Sequence, residues 1–372
     1  MKLKLKYLII PLLFSFYAQA FAASVPFDIS VWIPYWRKIE GTSSTITHIQ
    51  TLTQVSPFAF TVDKNNQLKN TLKIDEEPWT SLIQEAKKNK VAVYPTVLWG
   101  NRDAMEITLN NVKKRNAHIQ SIIGTVKKYG FDGIDIDYEG KSVETRDVYS
   151  RFLKDLSIAL KKDNKKLICT IEARTPLSSR YATVTPEKLK EIEYANDYVA
   201  LAKYCYQVRI MAYDQSTDDL TLKTKYKNEM YRPVADSEWV KKVLTLALRD
   251  IPASKIVLGI PTYGYKYEYV YVNGEYSYVG VGAMNYSYAE ALAKVMGVTP
   301  LRNKGGELSF SYSSTTDTSS KDTAMKNYFV NYSDSIAIAE KINIAKEYKL
   351  GGVSIFKIDG GNDEKLWDAL KK

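Results

Sequence analysis

Four acids crowd into the nine residues Phe131-Asp132-Gly133-Ile134-Asp135-Ile136-Asp137-Tyr138-Glu139. A strand's two-residue period puts Ile134, Ile136 and Tyr138 on one face. It puts Asp135, Asp137 and Glu139 on the other, with roughly 7 Å between successive members. Like charges stacked on one strand face repel, so at least one of these carboxyls must hold its proton more tightly than usual. A carboxyl that stays protonated near neutral pH beside ionised neighbours suits acid catalysis of bond cleavage. Asp132 is out of phase with this row and is expected to cap the start of the strand.

Two simpler readings compete. A solvated edge strand usually mixes charge signs and carries Lys, whereas here the opposite face is Ile, Ile and Tyr. A calcium loop would use Asp135, Asp137, Glu139 and Gly140 as its first positions. Its twelfth position would then be Arg146 instead of Glu, and Ile136 and Tyr138 suit a strand better than a loop. The only histidines, His48 and His118, lie beside no motif. Neither receives a role, and no His-based zinc site is expected. No metal and no cofactor is called for.

A strand of this kind needs neighbours. A helix-like run from Asn111 to Tyr129 and Gly130 lead into it, as in a βαβ unit. Further strands are expected at Val31 to Trp36, Val55 to Val62, Val91 to Leu98, Leu167 to Glu172, Val208 to Tyr213, Lys255 to Pro261 and Gly352 to Ile358. Helices fall between them. Glu77 to Lys90 carries Trp79, Leu82, Ile83 and Ala86 at helical spacing. Glu144 to Lys162 has the apolar stripe Val148, Phe152, Leu153, Leu156 and Leu160. Another helix starts at Thr185-Pro186-Glu187, with Thr as cap and Pro in the first turn. Ser237 to Asp250, Ser333 to Tyr348 and Glu364 to Lys371 complete the set. Eight strands alternating with helices predict an α/β fold, a (β/α)8 TIM barrel, over residues 27–372. Residues 265–328 break the rhythm and are rich in Tyr, Gly and Ser. A loop this long needs structure of its own, so a small α+β insertion after strand 7 is expected, walling the C-terminal face. Chemistry in such barrels sits at the C-terminal strand ends. Glu139 ends its strand, and Asp214 follows the sixth.

Composition narrows the class. The 372 residues are 45% hydrophobic and 25% charged, which is ordinary for a globular chain with ample core. The formal charge of +10 would suit anionic polymers, but Lys and Arg are spread along the chain, so no nucleic-acid partner is expected. The 28 Tyr, 11 Phe and 6 Trp would suit sugar rings, although most will serve packing. Residues 1–22 read as an export leader. Lys2, Lys4 and Lys6 precede a short apolar run, Tyr7 to Phe16, and small-residue cleavage sites at Ala18-Gln19-Ala20 and Ala20-Phe21-Ala22. The run is short for a membrane span. The expectation is a secreted, periplasmic or cell-wall-associated protein with no stable membrane association once the leader is removed. Cys169 and Cys205 either pair after export or stay as buried thiols.

These motifs together resemble glycoside hydrolase family 18, the chitinase-like family. Its Asp-x-x-Asp-x-Asp-x-Glu signature is matched by Asp132, Asp135, Asp137 and Glu139. Met211-Ala212-Tyr213-Asp214 resembles its Met-x-Tyr-Asp, and Leu258-Gly259-Ile260-Pro261-Thr262-Tyr263-Gly264 its Leu-Gly-Ile-Pro-x-Tyr-Gly. The insertion and Leu350-Gly351-Gly352-Val353 fall in family order. Two departures stand out. Phe356 occupies the place of the family's usual Trp on strand 8, and Tyr94-Pro95-Thr96-Val97 replaces the usual Ser-x-Gly-Gly. The latter stretch, Trp32 to Trp36 and Pro233-Val234-Ala235 look nearer the branch that includes bacterial spore-cortex glucosaminidases.

The resemblance implies retaining hydrolysis of a β-1,4 bond beside N-acetylglucosamine, with the substrate's acetamido oxygen as nucleophile. The partner would be a chitin-type polysaccharide or oligosaccharide, or peptidoglycan as the alternative. A sugar-binding protein on a weakened barrel is a third reading. Glu139 would be the acid and then the base. Asp137 would hold the acetamido N–H, Asp135 would share a proton with Asp137, and Tyr213 would aim the acetamido carbonyl. Asp214 and Tyr263 would line the sugar site, and Phe356, Trp36 and Trp99 would offer stacking surfaces.

Overall fold

The computed structural model describes residues 27–191, 194–215, 219–315 and 325–371. The leader expected over residues 1–22 lies outside them. Eight parallel strands close on one another: β1 (Asp28–Ile33), β2 (Gln54–Val62), β3 (Thr96–Trp99), β4 (Gly133–Tyr138), β5 (Lys166–Glu172), β6 (Gln207–Met211), β7 (Ile256–Pro261) and β12 (Gly352–Phe356). They pair in that order, and β1 bonds to both β2 and β12. This is the (β/α)8 barrel read from the alternation.

Helices cover the outside: α1 (Lys38–Thr47), α2 (Trp79–Lys88), α3 (Val112–Tyr129), α4 (Arg146–Lys161), α5 (Tyr198–Tyr204), α6 (Ser237–Ala247), α8 (Ser335–Glu347) and α9 (Leu366–Lys371). Their ends follow local chemistry. Asn111 accepts from Lys114 N at the start of α3, and Gly130 closes that helix at φ 64°. Asp236 caps α6 and Asp334 caps α8 in the same way.

Between β7 and β12 the chain builds a second, five-stranded antiparallel sheet. Its main strands are β8 (Tyr263–Val272), β9 (Glu275–Asn285), β10 (Leu308–Ser314) and β11 (Lys326–Tyr332), with helix α7 (Tyr286–Met296) inside the same segment. The sheet is wider than residues 265–328, because only Thr262 separates the end of β7 from the start of β8 and β11 runs on to Tyr332. Gly264 permits this junction: a Cβ there would meet Asn331 O at 1.9 Å.

The expected and observed strand bounds differ most at the first and third strands. The first ends at Ile33, since Pro34 has no N–H to donate and Tyr35–Arg37 turn into a 3-10 helix. The third is split by Tyr94 and Pro95 into Ala92–Val93 and β3. Cys169, on β5, and Cys205, just before β6, form a disulfide with Cα atoms 6.0 Å apart. This settles the choice the sequence left open.

The two faces of β4 separate as the period requires. Ile134, Ile136 and Tyr138 are fully buried under the outer helices. Tyr138 lies between Phe152 and His118, with ring centroids 5.6 and 6.0 Å away. The His118 Nδ1–H donates to Asn66 O (2.7 Å), so its Nε2 accepts from the Tyr138 hydroxyl (2.5 Å). Burial lowers the His118 pKa from 6.5 to about 4. Above pH 6.5 the ring is neutral whether folded or unfolded. Below it the unfolded chain takes up a proton that the folded protein refuses, so stability falls, by about 3 kcal/mol at most. Urea unfolding between pH 6.5 and 5 should therefore show a shallower pH slope in His118→Gln than in the parent. Equal slopes would contradict the buried neutral ring.

Candidate active site

The inward face of β4 is built around Asp135. This carboxylate is fully buried and accepts four hydrogen bonds. Trp32 Nε1 (3.0 Å), Thr96 Oγ1 (2.9 Å) and Arg209 Nη1 (3.1 Å) reach Oδ2, and Thr170 Oγ1 (2.7 Å) reaches Oδ1. The donors come from β1, β3, β6 and β5. Arg209 is fully buried too, and also donates to Ser56 Oγ (2.6 Å) and Gln54 Oε1 (2.9 Å) on β2. Asp135 and Arg209 therefore form an ion pair across the barrel interior.

One step up the ladder, Asp137 is 1% exposed, and its buried Oδ1 has no hydrogen-bond partner. Burial raises its pKa well above the ordinary carboxylate value, and the charges of Glu139 and Asp135 add to the rise. Asp135 has all four of its donors from neighbouring strands, whereas Asp137 Oδ1 has none.

Glu139 follows β4 and extends its ladder, its N–H donating to Trp99 O (3.0 Å). Its carboxyl lines a cleft of about 520 Å³ at the C-terminal end of the barrel, with Asp137, Glu172, Tyr213, Asp214 and Phe356. Burial raises the Glu139 pKa, and so do the charges of Glu172 and Asp214, while Lys141 opposes them.

Tyr213 is 8% exposed, and its ring stacks on Phe356 with centroids 5.2 Å apart and planes 12° from parallel. Asp214 sits at φ 56°, a left-handed conformation that Asp tolerates better than most residues. It accepts from the hydroxyls of Tyr263 (2.7 Å) and Tyr265 (2.8 Å), both on the inserted sheet. Trp36 stands at the rim, 51% exposed, edge-on to Tyr35.

Two expected sugar contacts lie elsewhere. Trp99 is 4% exposed and packs on His118 and Tyr138 outside the barrel wall. It is in register with the outward-facing Tyr138, while Leu98, in register with Asp137, faces the cleft. Tyr263 is buried and does not line the cleft. It acts through Asp214. Asp132 holds Val93 N through Oδ2 (2.8 Å), a structural bond at the base of the strand.

Three residues of the site escaped the sequence reading. Arg209 is a lone charge in an apolar strand, in phase with Met211 and Tyr213, and that phase was the signal. Glu172 ends β5 as Glu139 follows β4, so the strand-end rule that selected one applied to the other. Its Oε1 accepts from Gly140 N (2.9 Å) and its Oε2 from Asn196 Nδ2 (2.9 Å). Lys141 is buried, 3.7 Å from Glu172 and over the Tyr149 ring, and its Nζ donates to Tyr138 O. Nothing in the sequence announces its burial.

Buried acids at the C-terminal end of a (β/α)8 barrel, beside an aromatic floor, define a class of barrel hydrolases acting on sugars. The family model for glycosyl hydrolases family 18 matches residues 31–361, and the chain belongs to that family. The protein is a glycoside hydrolase. It is 25% identical over 323 residues to the uncharacterized glycosylase YvbX of Bacillus subtilis, covering 84% of this chain and 82% of that protein. It is 24% identical over 320 residues to the cortical fragment-lytic enzyme of Bacillus cereus, covering 82% of this chain but 65% of that enzyme's length. In fold it is similar to the Bacillus cereus spore cortex-lytic enzyme SleL (TM-score 0.73, 22% identity, covering 92% of this chain and 73% of that one). A chitinase from Chromobacterium violaceum is similar to the same degree (TM-score 0.72, 21% identity, covering 92% and 98%).

Two outcomes follow from this electrostatic layout. Asp135→Asn leaves the Arg209 guanidinium buried without its counter-charge and should cost about 3–5 kcal/mol in urea unfolding. Parental stability would contradict the ion pair's place. Glu172→Gln keeps an acceptor for Gly140 N but removes a charge that raises the Glu139 pKa. The alkaline limb of the kcat/KM profile should move to lower pH, and a limb that stays in place would contradict the coupling.

Proposed function

We propose that the protein hydrolyses a β-1,4 bond next to N-acetylglucosamine, with retention, using the substrate's own acetamido group as nucleophile. The observation that carries this reading is the buried, unpartnered Oδ1 of Asp137, inside a cleft shared with Glu139 and Tyr213. Buried polar atoms are rarely left unpaired, so an orphan acceptor in a cleft points to a donor brought by the ligand. An acetamido N–H is such a donor.

In the first step Glu139 protonates the oxygen of the leaving sugar while the acetamido oxygen attacks the anomeric carbon. Asp137 holds the acetamido nitrogen, and its hydrogen bond strengthens as positive charge develops there. The Tyr213 hydroxyl steadies the acetamido oxygen in line with the bond being broken. In the second step Glu139, now a carboxylate, takes a proton from water, which opens the cyclic intermediate with the original configuration. Phe356, stacked on Tyr213, supplies the floor beneath the sugar, and Trp36 a surface at the rim.

Chitin-type oligosaccharides satisfy these contacts. Peptidoglycan offers the same acetamido sugar, and the likeness to cortical fragment-lytic enzymes favours it as the second reading. Action outside the cytoplasm is part of the proposal, supported by the Cys169–Cys205 disulfide, since such bonds persist in oxidising compartments.

Glu139→Gln should lower turnover of chitotetraose or purified peptidoglycan by about a thousandfold while sugar binding persists by calorimetry. Turnover near the parent's would refute the acid assignment. Early-time proton NMR of the parent's product should show the β-anomer, and an initial α-anomer would refute the retaining route.

A further inference from the structure

The cleft wall carries two cations that a neutral glycan would leave without a counter-charge. Arg174 and Arg180 lie just beyond β5, in the cleft that holds Glu139. Arg174 follows Glu172 by two residues, and its guanidinium carbon lies 3.7 Å from the Tyr194 ring centroid and 4.5 Å from that of Tyr198. Aromatic faces hold a guanidinium in place without using its N–H donors. The Arg174 Nε is buried with no hydrogen-bond partner. Arg180 ends the short helix Leu177–Arg180, exposed, its charge 5.8 Å from the Tyr181 ring centroid. Among the described residues neither arginine makes an ion pair, although Asp137, Glu139, Glu172 and Asp214 share the cleft. Lys141, the lysine beside these acids, is engaged with Tyr138 O and Glu172.

A planar fork of free N–H donors matches a carboxylate in charge and geometry. We infer that Arg174 and Arg180 form a carboxylate subsite, and that the substrate is an acidic N-acetylglucosamine copolymer whose neighbouring residue bears a carboxyl group. That group is carried either by a 3-O-lactyl ether on the next sugar or by a peptide attached to it. The inference rests on the glycosidase reading above and narrows its substrate class. Chitin, which is neutral, offers both guanidinium groups hydroxyl and acetamido oxygens but no counter-charge.

The test compares kcat/KM on three strands of alternating N-acetylglucosamine and N-acetylmuramic acid: free lactyl carboxylates, their methyl esters, and peptide-bearing. Chitotetraose is run alongside. The parent should prefer a carboxylate-bearing strand over the ester by about tenfold or more, the order expected of a charge-assisted pair. Preference for the free lactyl strand assigns the carboxylate to the sugar, and preference for the peptide strand alone assigns it to the peptide. Arg174→Gln and Arg180→Gln should each reduce the ratio, and the double variant should bring it near one. Arg180→Lys should retain part of it. Arg180 is exposed, so its variants report even where Arg174→Gln perturbs folding. A parental ratio near one, or a ratio unmoved in the double variant, overturns the subsite while chitotetraose cleavage leaves the glycosidase reading standing. Loss of cleavage on all four substrates overturns that reading itself.

Discussion

The ion pair between Asp135 and Arg209 is the interaction on which the site depends. Two opposite charges with no solvent exposure need hydrogen bonds to offset their desolvation, and removing one partner is costly. Here strands β1 through β6 all contribute to the pair or its partners, and Arg209 Nε is left without one. Trp32, Gln54, Ser56, Thr96, Thr170 and Arg209 converge on one carboxylate and its counter-charge. The pair thereby locks the register of the barrel's inner face. It also places a fixed negative charge directly beneath Asp137, which is one reason that Asp137 resists ionisation.

From this base the ladder rises toward solvent in order of decreasing constraint. Asp135 is immobilised, Asp137 is buried with one oxygen unpaired, and Glu139 opens into the cleft. Close approach of the chain is needed at the foot of the strand. A Cβ on Gly133 would stand 2.0 Å from Lys166 O, so β4 and β5 are spaced for glycine at that point. The other side of the cleft is set by the inserted sheet. Tyr263 and Tyr265 hold Asp214 from β8, and Phe356 from β12 supports Tyr213. The geometry of the cleft is thus a joint product of the barrel and the insertion.

Much of this was legible in the sequence because period and chemistry agreed. The strict alternation from Ile134 to Glu139 assigns faces without ambiguity, and the barrel follows from eight strand–helix repeats. Boundaries were less legible where proline interrupts a hydrophobic run, as at Pro34 and Pro95. Trp99 was misplaced because a broken strand hides its phase, and phase alone decides whether an aromatic meets sugar or core. Tyr263 belongs to a motif, yet its side chain is buried against Tyr213 and Phe356 and bonds Asp214 instead of lining the cleft. Arg209, Glu172 and Lys141 depend on cross-strand register, which one strand's sequence does not contain. The pairing of Cys169 with Cys205 depends likewise on how β5 and β6 come together.

The central claim is that the buried Asp135–Arg209 pair and the burial of the ladder above it keep a proton on Asp137 and raise the proton affinity of Glu139. Carbon-13 NMR of side-chain carboxyl groups across a pH titration reads this directly, with Asp137→Asn and Glu139→Gln assigning the signals. The account predicts that Asp137 stays protonated well above the ordinary carboxylate range and that Glu139 titrates higher than an exposed glutamate. Ordinary midpoints for both would contradict it.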